Sequence, residues 1–228
     1  MPTETSKASD HRIRRRSSGD QAAAYLRRLI FEGELRPGNR VPQEEVAQTL
    51  GISRIPVREA LIALEREGWL TIELHRGAFI NALDEQSVRD HYDLFGVLYG
   101  FAVERAVERD REGLSAKLDA ITPALTATDD PAELNRLTLE FHASVVDAAN
   151  SPRISAVLRS LTGIIPGNFF ELVPGSMDVE RRGAADVARA VRRGDGPAAA
   201  TAYRRTMQRQ GANVVEVLRS RGLFDAAG

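Results

Sequence analysis

Two arginines four residues apart, Arg54 and Arg58, are the side chains of this sequence best suited to recognising DNA. Residues at this spacing lie on one face of a helix, so both guanidinium groups would point the same way. A guanidinium group carries a fork of donors that matches the two acceptors on the major-groove edge of guanine. The pair therefore predicts a helix that reads base edges.

The residues around the two arginines favour such a helix. Ser53 is a good N-cap, and Pro56 falls in the first turn, where its missing N–H costs little. Gly51 permits a tight turn before the helix, and Gly68 suits the position just after its end. Four apolar residues follow the i, i+3, i+4, i+7 spacing of one buried stripe: Val57, Ala60, Leu61 and Leu64.

Two shorter helical patterns and a hairpin pattern flank this helix. Residues 22–31 and 43–50 are predicted to be helical, and Gly51 makes the turn from the second of them into the helix of Arg54. This order is typical of a helix-turn-helix. Residues 69–74 and 78–80 alternate like strands around a His75-Arg76-Gly77 turn. They predict a β-hairpin wing, whose tip suits the minor groove or flanking phosphates.

The composition is that of an ordinary soluble protein. The chain has 228 residues and no cysteine, which excludes disulfides and thiolate metal sites. No apolar run is long enough to span a bilayer, and the first 18 residues lack the apolar core of a secretory signal. We therefore expect a cytoplasmic protein with no membrane partner. Residues 1–17, which include four arginines, are expected to form a disordered arm that either touches phosphates or is functionally silent.

Residues 22–81 resemble the winged-helix domain of the GntR family of bacterial transcription regulators. The resemblance is carried by Leu35-Arg36-Pro37-Gly38, Gln43-Glu44-Glu45-Val46-Ala47, Leu50-Gly51-Ile52-Ser53-Arg54, Pro56-Val57-Arg58-Glu59-Ala60-Leu61, Leu64, Gly68-Trp69-Leu70 and Arg76-Gly77. One departure is Ile55, where the family usually has a threonine that can contact phosphate. The resemblance implies a homodimer on a pseudo-palindromic operator. The expected DNA-binding residues are Arg40, Glu44, Ser53, Arg54, Pro56, Arg58, His75, Arg76 and Gly77.

The remainder of the chain is predicted to be helical. Six blocks, at about 85–109, 112–124, 131–149, 152–170, 177–193 and 197–219, are separated by proline, glycine, asparagine and aspartate. Six antiparallel helices would form a bundle whose interior can hold a ligand. The expected fold is mainly α, with a winged helix-turn-helix at 18–82 and an all-helical antiparallel bundle at 83–228.

The second half resembles the FCD-type ligand-binding domain of the FadR branch of the same family. The resemblance is carried by Asp90-His91-Tyr92-Asp93-Leu94, by Phe141-His142, by Ala148-Ala149-Asn150-Ser151-Pro152, and by residues 190–195. It implies that residues 83–228 bind a small effector and dimerise.

The metal site of such domains is not retained in this sequence. The family usually binds a divalent ion through Asp-x-x-x-His on one helix and two histidines on later helices. Here His142 is present, but Thr138 replaces the aspartate, and Ala184 and Thr206 stand at the other two histidine positions. One imidazole with neutral neighbours is a poor site for a divalent ion. We therefore expect neither a metal nor another cofactor.

The expected effector site is more apolar than the family pattern implies. An arginine usual on the first bundle helix is replaced by Phe95, with Tyr99 one turn on, and Phe169 lies in an apolar stretch. The expected effector-binding residues are Phe95, Tyr99, Thr138, His142, Phe169, Ala184 and Thr206. They favour an effector with a substantial hydrophobic body, such as a long-chain acyl compound. The alternative is that these rings close a filled core and that His142 is a core histidine.

The sequence thus predicts a DNA-binding transcriptional regulator and not an enzyme. Repression relieved by the effector is the use that the resemblance implies, and activation stays open. One alternative is a metal-dependent regulator that responds to a sugar acid or hydroxy acid. A second is a helical-bundle enzyme in which His142 works with Glu140 or Glu171, although no nucleophile or phosphate loop accompanies them. A third is an architectural DNA-binding protein.

Overall fold

The computed structural model describes residues 17–161 and 164–224. The predicted arm lies outside the described residues except for Ser17. The N-terminal part consists of helices α1 (Ser18–Phe31), α2 (Gln43–Leu50) and α3 (Arg54–Arg66). Strands β1 (Leu70–Glu73) and β2 (Gly77–Ile80) follow and pair antiparallel, with Leu70 opposite Ile80 and Glu73 opposite Gly77. The predicted winged helix-turn-helix is confirmed.

Helix α1 begins four residues earlier than the prediction because Ser17 and Asp20 cap it reciprocally. The backbone N–H of Asp20 donates to the Ser17 hydroxyl oxygen at 3.0 Å, and the backbone N–H of Ser17 donates to the Asp20 carboxylate at 3.1 Å. This capping box satisfies two backbone donors that the start of a helix otherwise leaves free.

The C-terminal part is helical, as predicted. Its elements are α4 (Glu85–Ala127), α5 (Pro131–Ala149), α6 (Pro152–Ser160), α7 (Phe169–Leu172), α8 (Ser176–Arg192) and α9 (Gly196–Ser220). Short polar side chains begin four of them, since Asp84, Asp130, Ser151 and Asp195 each accept a hydrogen bond from a backbone N–H in the first turn. The predicted blocks 85–109 and 112–124 are the two arms of α4, which is interrupted at Asp110 (φ −150°, ψ 58°).

The predicted helix over 152–170 is wrong. Helix α6 ends at Ser160, the described residues 164–168 are not helical, and α7 is the single turn Phe169–Leu172. Pro166 lacks the N–H that a continuous helix needs, and Gly167 adopts a left-handed conformation with φ 76°. These two residues separate α6 from α7 and leave Phe169 at the start of a new helical turn.

Helix α9 connects the bundle to the winged helix. Its C-terminal residues Val214, Val215 and Leu218 are buried in the same hydrophobic core as helices α1 to α3. Just beyond α9, the guanidinium of Arg221 lies 3.8 Å from the ring centre of Phe31 and donates to the Phe31 carbonyl oxygen at 2.8 Å. A displacement of α9 would therefore also move the C-terminal end of α1. No helix in the described part of the chain is long and apolar enough to cross a bilayer.

Candidate nucleic-acid interface and effector site

Helix α3 presents its two arginines to solvent. Val57, Ala60, Leu61 and Leu64 are all buried, which confirms the predicted apolar stripe and fixes the opposite face of the helix outward. Arg54 and Arg58 are exposed at the N-terminal end. Ser53 is the N-cap, with extended backbone, but its side chain makes no capping hydrogen bond in the described structure.

Several predicted DNA-binding residues surround one groove. Arg40, Arg54 and Arg58 line a groove of about 460 Å³ together with Glu44 and Glu45. The carboxylate of Glu44 forms an ion pair with the guanidinium of Arg54, and both side chains are more than half exposed. Three arginines against two glutamates leave the groove with an excess of positive charge, which suits a nucleic-acid backbone.

Arg40 links this groove to the wing. A Cβ added at Gly77 would lie 2.7 Å from the Nε of Arg40, so the guanidinium packs directly on the backbone of this glycine. Gly77 has φ 115°, a conformation that L side chains rarely adopt. The backbone conformation of position 77 therefore favours glycine, and an added Cβ would push the Arg40 guanidinium aside.

The wing tip exposes His75, Arg76 and one apolar residue that the sequence analysis missed. His75 has φ 61°, and Arg76 pairs with Glu73 while its guanidinium lies 5.5 Å from the ring centre of Phe79. The predicted strand over 69–74 is one residue too long at its end, because β1 ends at Glu73. Leu74 instead stands at the tip with 82% of its surface exposed. Leu74 follows an alternating strand and directly precedes a turn, and this position could have predicted that it is exposed at the tip.

The predicted effector residues divide between an aromatic row and a helix contact. Phe95 stacks on Tyr99 with ring centres 6.1 Å apart, and the His142 ring centre lies 4.5 Å from that of Tyr99. Phe169 lies at the far end of this row, where its ring centre is 6.5 Å from that of Tyr92. The row thus brings together four of the seven predicted residues: Phe95, Tyr99, His142 and Phe169.

Thr206 and Ala184 belong to the contact between α8 and α9. Both are buried, and a Cβ added at Gly183 would lie only 2.1 Å from the Thr206 hydroxyl oxygen. That hydroxyl donates to the Ala202 carbonyl oxygen of its own helix at 2.9 Å. Thr206 therefore packs closely on Gly183 of α8, next to the buried Ala184, whereas Thr138, which is also buried, faces the carboxylate of Glu180.

Glu180, Gln210 and Tyr203 are buried polar residues that the sequence analysis missed. Glu180 is only 4% exposed, and its carboxylate lies 3.4 Å from the Gln210 amide nitrogen and 3.8 Å from the His142 Nε2. The Tyr203 ring stacks on Tyr99 with centres 5.4 Å apart. Glu180 precedes Ala184 by one helical turn and Gln210 follows Thr206 by one turn. Residues four apart lie on the same face of a helix, so this spacing from the family's ligand positions could have predicted that Glu180 and Gln210 face the same site.

Burial shifts the pKa values of the acid and the base in opposite directions. Burial raises the pKa of Glu180 to about 7, an effect that the nearby Gln210 amide and Thr138 hydroxyl only partly offset. Burial lowers the pKa of His142 to about 4. The imidazole is therefore uncharged near neutral pH and supplies no positive charge to Glu180.

Two family models match this chain in succession. The model described as bacterial regulatory proteins, gntR family, matches residues 18–80, and the FCD domain model matches residues 90–209. The chain belongs to the GntR family. The FCD model alone covers more than half of the 228 residues. This match confirms the resemblance seen in the sequence, including the FCD-type second half.

The curated relatives of this GntR-family chain are regulators. An uncharacterized HTH-type transcriptional regulator of Mycobacterium tuberculosis is 34% identical over 159 residues, which are 70% of this chain and 65% of that protein. The gluconate operon transcriptional repressor of Bacillus subtilis is 28% identical over 152 residues, 65% of this chain and 62% of that protein. The matches thus span slightly less than two thirds of these relatives. The family and its relatives are regulatory proteins, which confirms the prediction that the chain is not an enzyme.

A solved structure shares the fold. E. coli McbR/YncC matches with a TM-score of 0.61 and 20% sequence identity, over 90% of this chain and 98% of that chain. At this identity the match shows the architecture alone, a winged helix followed by a helical domain.

The bundle of this GntR-family member places few metal ligands together. Among the described residues, no group of three or more His, Cys, Asp or Glu side chains is placed to hold a metal ion. His142 and Glu180 make one such pair, whereas Thr138 and Thr206 offer hydroxyl groups, which are weak ligands. The absence of a metal from the functional protein stays a prediction.

Proposed function

We propose that the chain is a sequence-specific DNA-binding transcriptional regulator. The observation that carries this proposal is the exposure of Arg54 and Arg58 at the start of α3, in a groove shared with Arg40. Residues 18–82 would bind DNA, and residues 83–228 would bind an effector and a second copy of the chain.

The α3 arginines would read bases, while neighbouring residues position the DNA backbone. Each bidentate contact from Arg54 or Arg58 to guanine would contribute about 1–3 kcal/mol of discrimination. Phosphate contacts from the groove and the wing would contribute affinity that is largely independent of sequence and sensitive to salt. The residues in this role are Arg40, Ser53, Pro56, His75, Arg76 and Gly77. Glu44 has a different role, because its ion pair holds the side chain of Arg54.

An exposed apolar stripe on α4 supports a homodimer. Leu94, Val97 and Phe101 are 51%, 50% and 45% exposed, and their spacing places them on one face of the helix. An apolar face of this kind on a soluble protein marks a contact surface. Two copies joined here would present two α3 helices to a pseudo-palindromic operator with half-sites about one helical turn apart.

Effector binding in the bundle would change the placement of the DNA-binding helices through α9. This helix carries Tyr203 and Gln210 beside Glu180, and its end is followed by Arg221 on Phe31. The aromatic row favours a largely apolar effector held without a metal, with Phe95, Tyr99 and Phe169 against its body. Repression is supported by the gluconate operon repressor among the relatives.

Selection of DNA from a random pool tests this proposal. The full-length chain is incubated with random-sequence duplexes, and the bound fraction is amplified and sequenced over several rounds. We expect enrichment of a pseudo-palindrome whose half-sites lie about one helical turn apart. Retention of DNA without sequence enrichment would instead favour an architectural protein, and no retention would refute DNA binding.

A further inference from the structure

The centre of the bundle holds a buried carboxylate inside a polar and aromatic cluster. The Glu180 cluster comprises Glu180, His142, Gln210, Tyr99 and Tyr203. We infer that the effector carries a positively charged ammonium group that binds against the Glu180 carboxylate, with its apolar part along Tyr99 and Phe95. This inference rests on the proposed effector function and names the chemical class of the effector.

Glu180 lacks a cationic partner in the described part of the chain. Its close polar neighbours are the Gln210 amide at 3.4 Å, the His142 imidazole at 3.8 Å and the Thr138 hydroxyl, and no Lys or Arg side chain among the described residues forms an ion pair with it. A carboxylate buried without a counter-charge is costly, unlike one paired with a cation. A cationic effector would supply the missing charge to the ionised form of Glu180, whereas a carboxylate effector would add a second negative charge beside it.

Two further acceptors in the cluster are unsatisfied. The Gln210 amide oxygen and the Tyr203 hydroxyl are buried and have no hydrogen-bond partner among the described residues. An ammonium group has three N–H donors and no acceptor, and Glu180, Gln210 and Tyr203 each offer a buried oxygen that can accept one. A carboxylate head group brings no donor to the Gln210 oxygen.

The aromatic rings around Glu180 also suit a cation. Tyr99 lies between His142 and Tyr203, with ring centres 4.5 Å and 5.4 Å away. The faces of aromatic rings attract cations, and cages of such rings recognise ammonium groups. The His142 side chain is 15% exposed whereas Glu180 is almost fully buried. Of these two side chains, His142 is therefore the nearer to solvent.

Two probes of equal chain length and opposite charge test the inference. Hexylammonium and hexanoate are titrated into the full-length protein near neutral pH, and binding is measured by calorimetry. We expect hexylammonium to bind and hexanoate not to bind. Glu180→Gln should weaken hexylammonium binding about tenfold or more, the loss of one charge-assisted hydrogen bond. Glu140→Gln, which removes an exposed carboxylate from α5, should leave it unchanged.

Other outcomes would overturn the inference. Equal binding of hexanoate, failure of hexylammonium to bind, or full binding by the Glu180→Gln variant would each show that the effector head is not an ammonium group held by this carboxylate. A circular dichroism spectrum confirms that the variant is folded. DNA selection without a probe separates the two proposals, because failure of hexylammonium with intact DNA selection would overturn only the effector class.

Discussion

The imidazole Nε2 of His142 lies 3.8 Å from the carboxylate Oε1 of Glu180 in the interior of the bundle. Burial disfavours the charged form of each side chain, so the pKa of His142 falls to about 4 and the pKa of Glu180 rises to about 7. Proton binding to these two groups therefore affects stability in opposite directions over an overlapping pH range.

The two groups should offset one another in the pH dependence of stability. Between about pH 4 and 6.5 the unfolded chain binds a proton at His142 and the folded chain does not, so this group makes stability rise with pH. Between about pH 4.5 and 7 the folded chain binds a proton at Glu180 and the unfolded chain does not, so this group makes stability fall with pH.

Substitution of either Glu180 or His142 should reveal the pH dependence of stability that the remaining residue causes. Relative to the wild type, Glu180→Gln should become more stable as pH rises from 4.5 to 6.5, and His142→Gln should become less stable over the same range. Urea unfolding at a series of pH values measures both differences, with Glu140→Gln as the control for loss of an exposed carboxylate. If the free energy of unfolding changes with pH in the same way for the wild type and all three variants, the pKa values of His142 and Glu180 are not shifted by folding.

Glycine at position 77 should be needed for DNA binding more than for folding. A Cβ there would strain the backbone at φ 115° and collide with Arg40, so Gly77→Ala should displace this arginine from the groove. We expect DNA affinity to fall about tenfold or more, with about 1–3 kcal/mol lost from the free energy of unfolding. Fluorescence anisotropy and urea unfolding measure the two effects. Gly33→Ala, also at positive φ but with no atom within 4 Å of the added Cβ, should lose stability without this loss of affinity.

The ion pair between Glu44 and Arg54 should restrain binding to DNA of unrelated sequence. Glu44→Gln removes a negative charge from the groove and releases Arg54, so affinity for a random-sequence duplex should rise several-fold. Glu45→Gln removes a neighbouring charge from the same groove, for which the described residues show no ion pair, and should have the smaller effect. Weaker binding by Glu44→Gln would contradict this prediction and would mean that the ion pair holds Arg54 in a position that favours DNA binding.

The exposed stripe on α4 should form the dimer contact. Phe101→Glu places a charge in this apolar face and should convert the dimer to a monomer in native mass spectrometry. Leu139→Glu, which changes an exposed apolar residue of α5, should remain dimeric. The same spectra test the metal-free prediction, since one divalent ion retained per chain would support the metal-dependent alternative.

The sequence predicted local features better than those set by packing between distant helices. The buried stripe of Val57, Ala60, Leu61 and Leu64 follows from helical periodicity alone, so α3 and its arginines were located correctly. Glu180 and Gln210 were missed because charged and amide side chains on helices are usually exposed. Only the packing of α5, α8 and α9 shows that Glu180 faces both His142 and Gln210.

The end of α6 illustrates a second limit. Pro166 and Gly167 were recognisable as breakers, but the non-helical conformation of residues 164–168 also depends on tertiary packing, since Ile165 and Phe170 are buried. Local propensity shows where a helix can end, but it does not determine how many residues are non-helical before the next helix begins.

Base reading by α3 is tested most directly with a duplex selected by the wild-type protein. Affinities for this duplex and for a scrambled duplex are measured for Arg54→Ala and Arg58→Ala. Arg66→Ala, at the opposite end of the same helix, is the control. Each of the first two variants should lose about 1–3 kcal/mol of discrimination between the duplexes, and Arg66→Ala should lose almost none. Equal losses on both duplexes would mean that Arg54 and Arg58 contact only phosphates, and the assignment of α3 as the reading helix would be wrong.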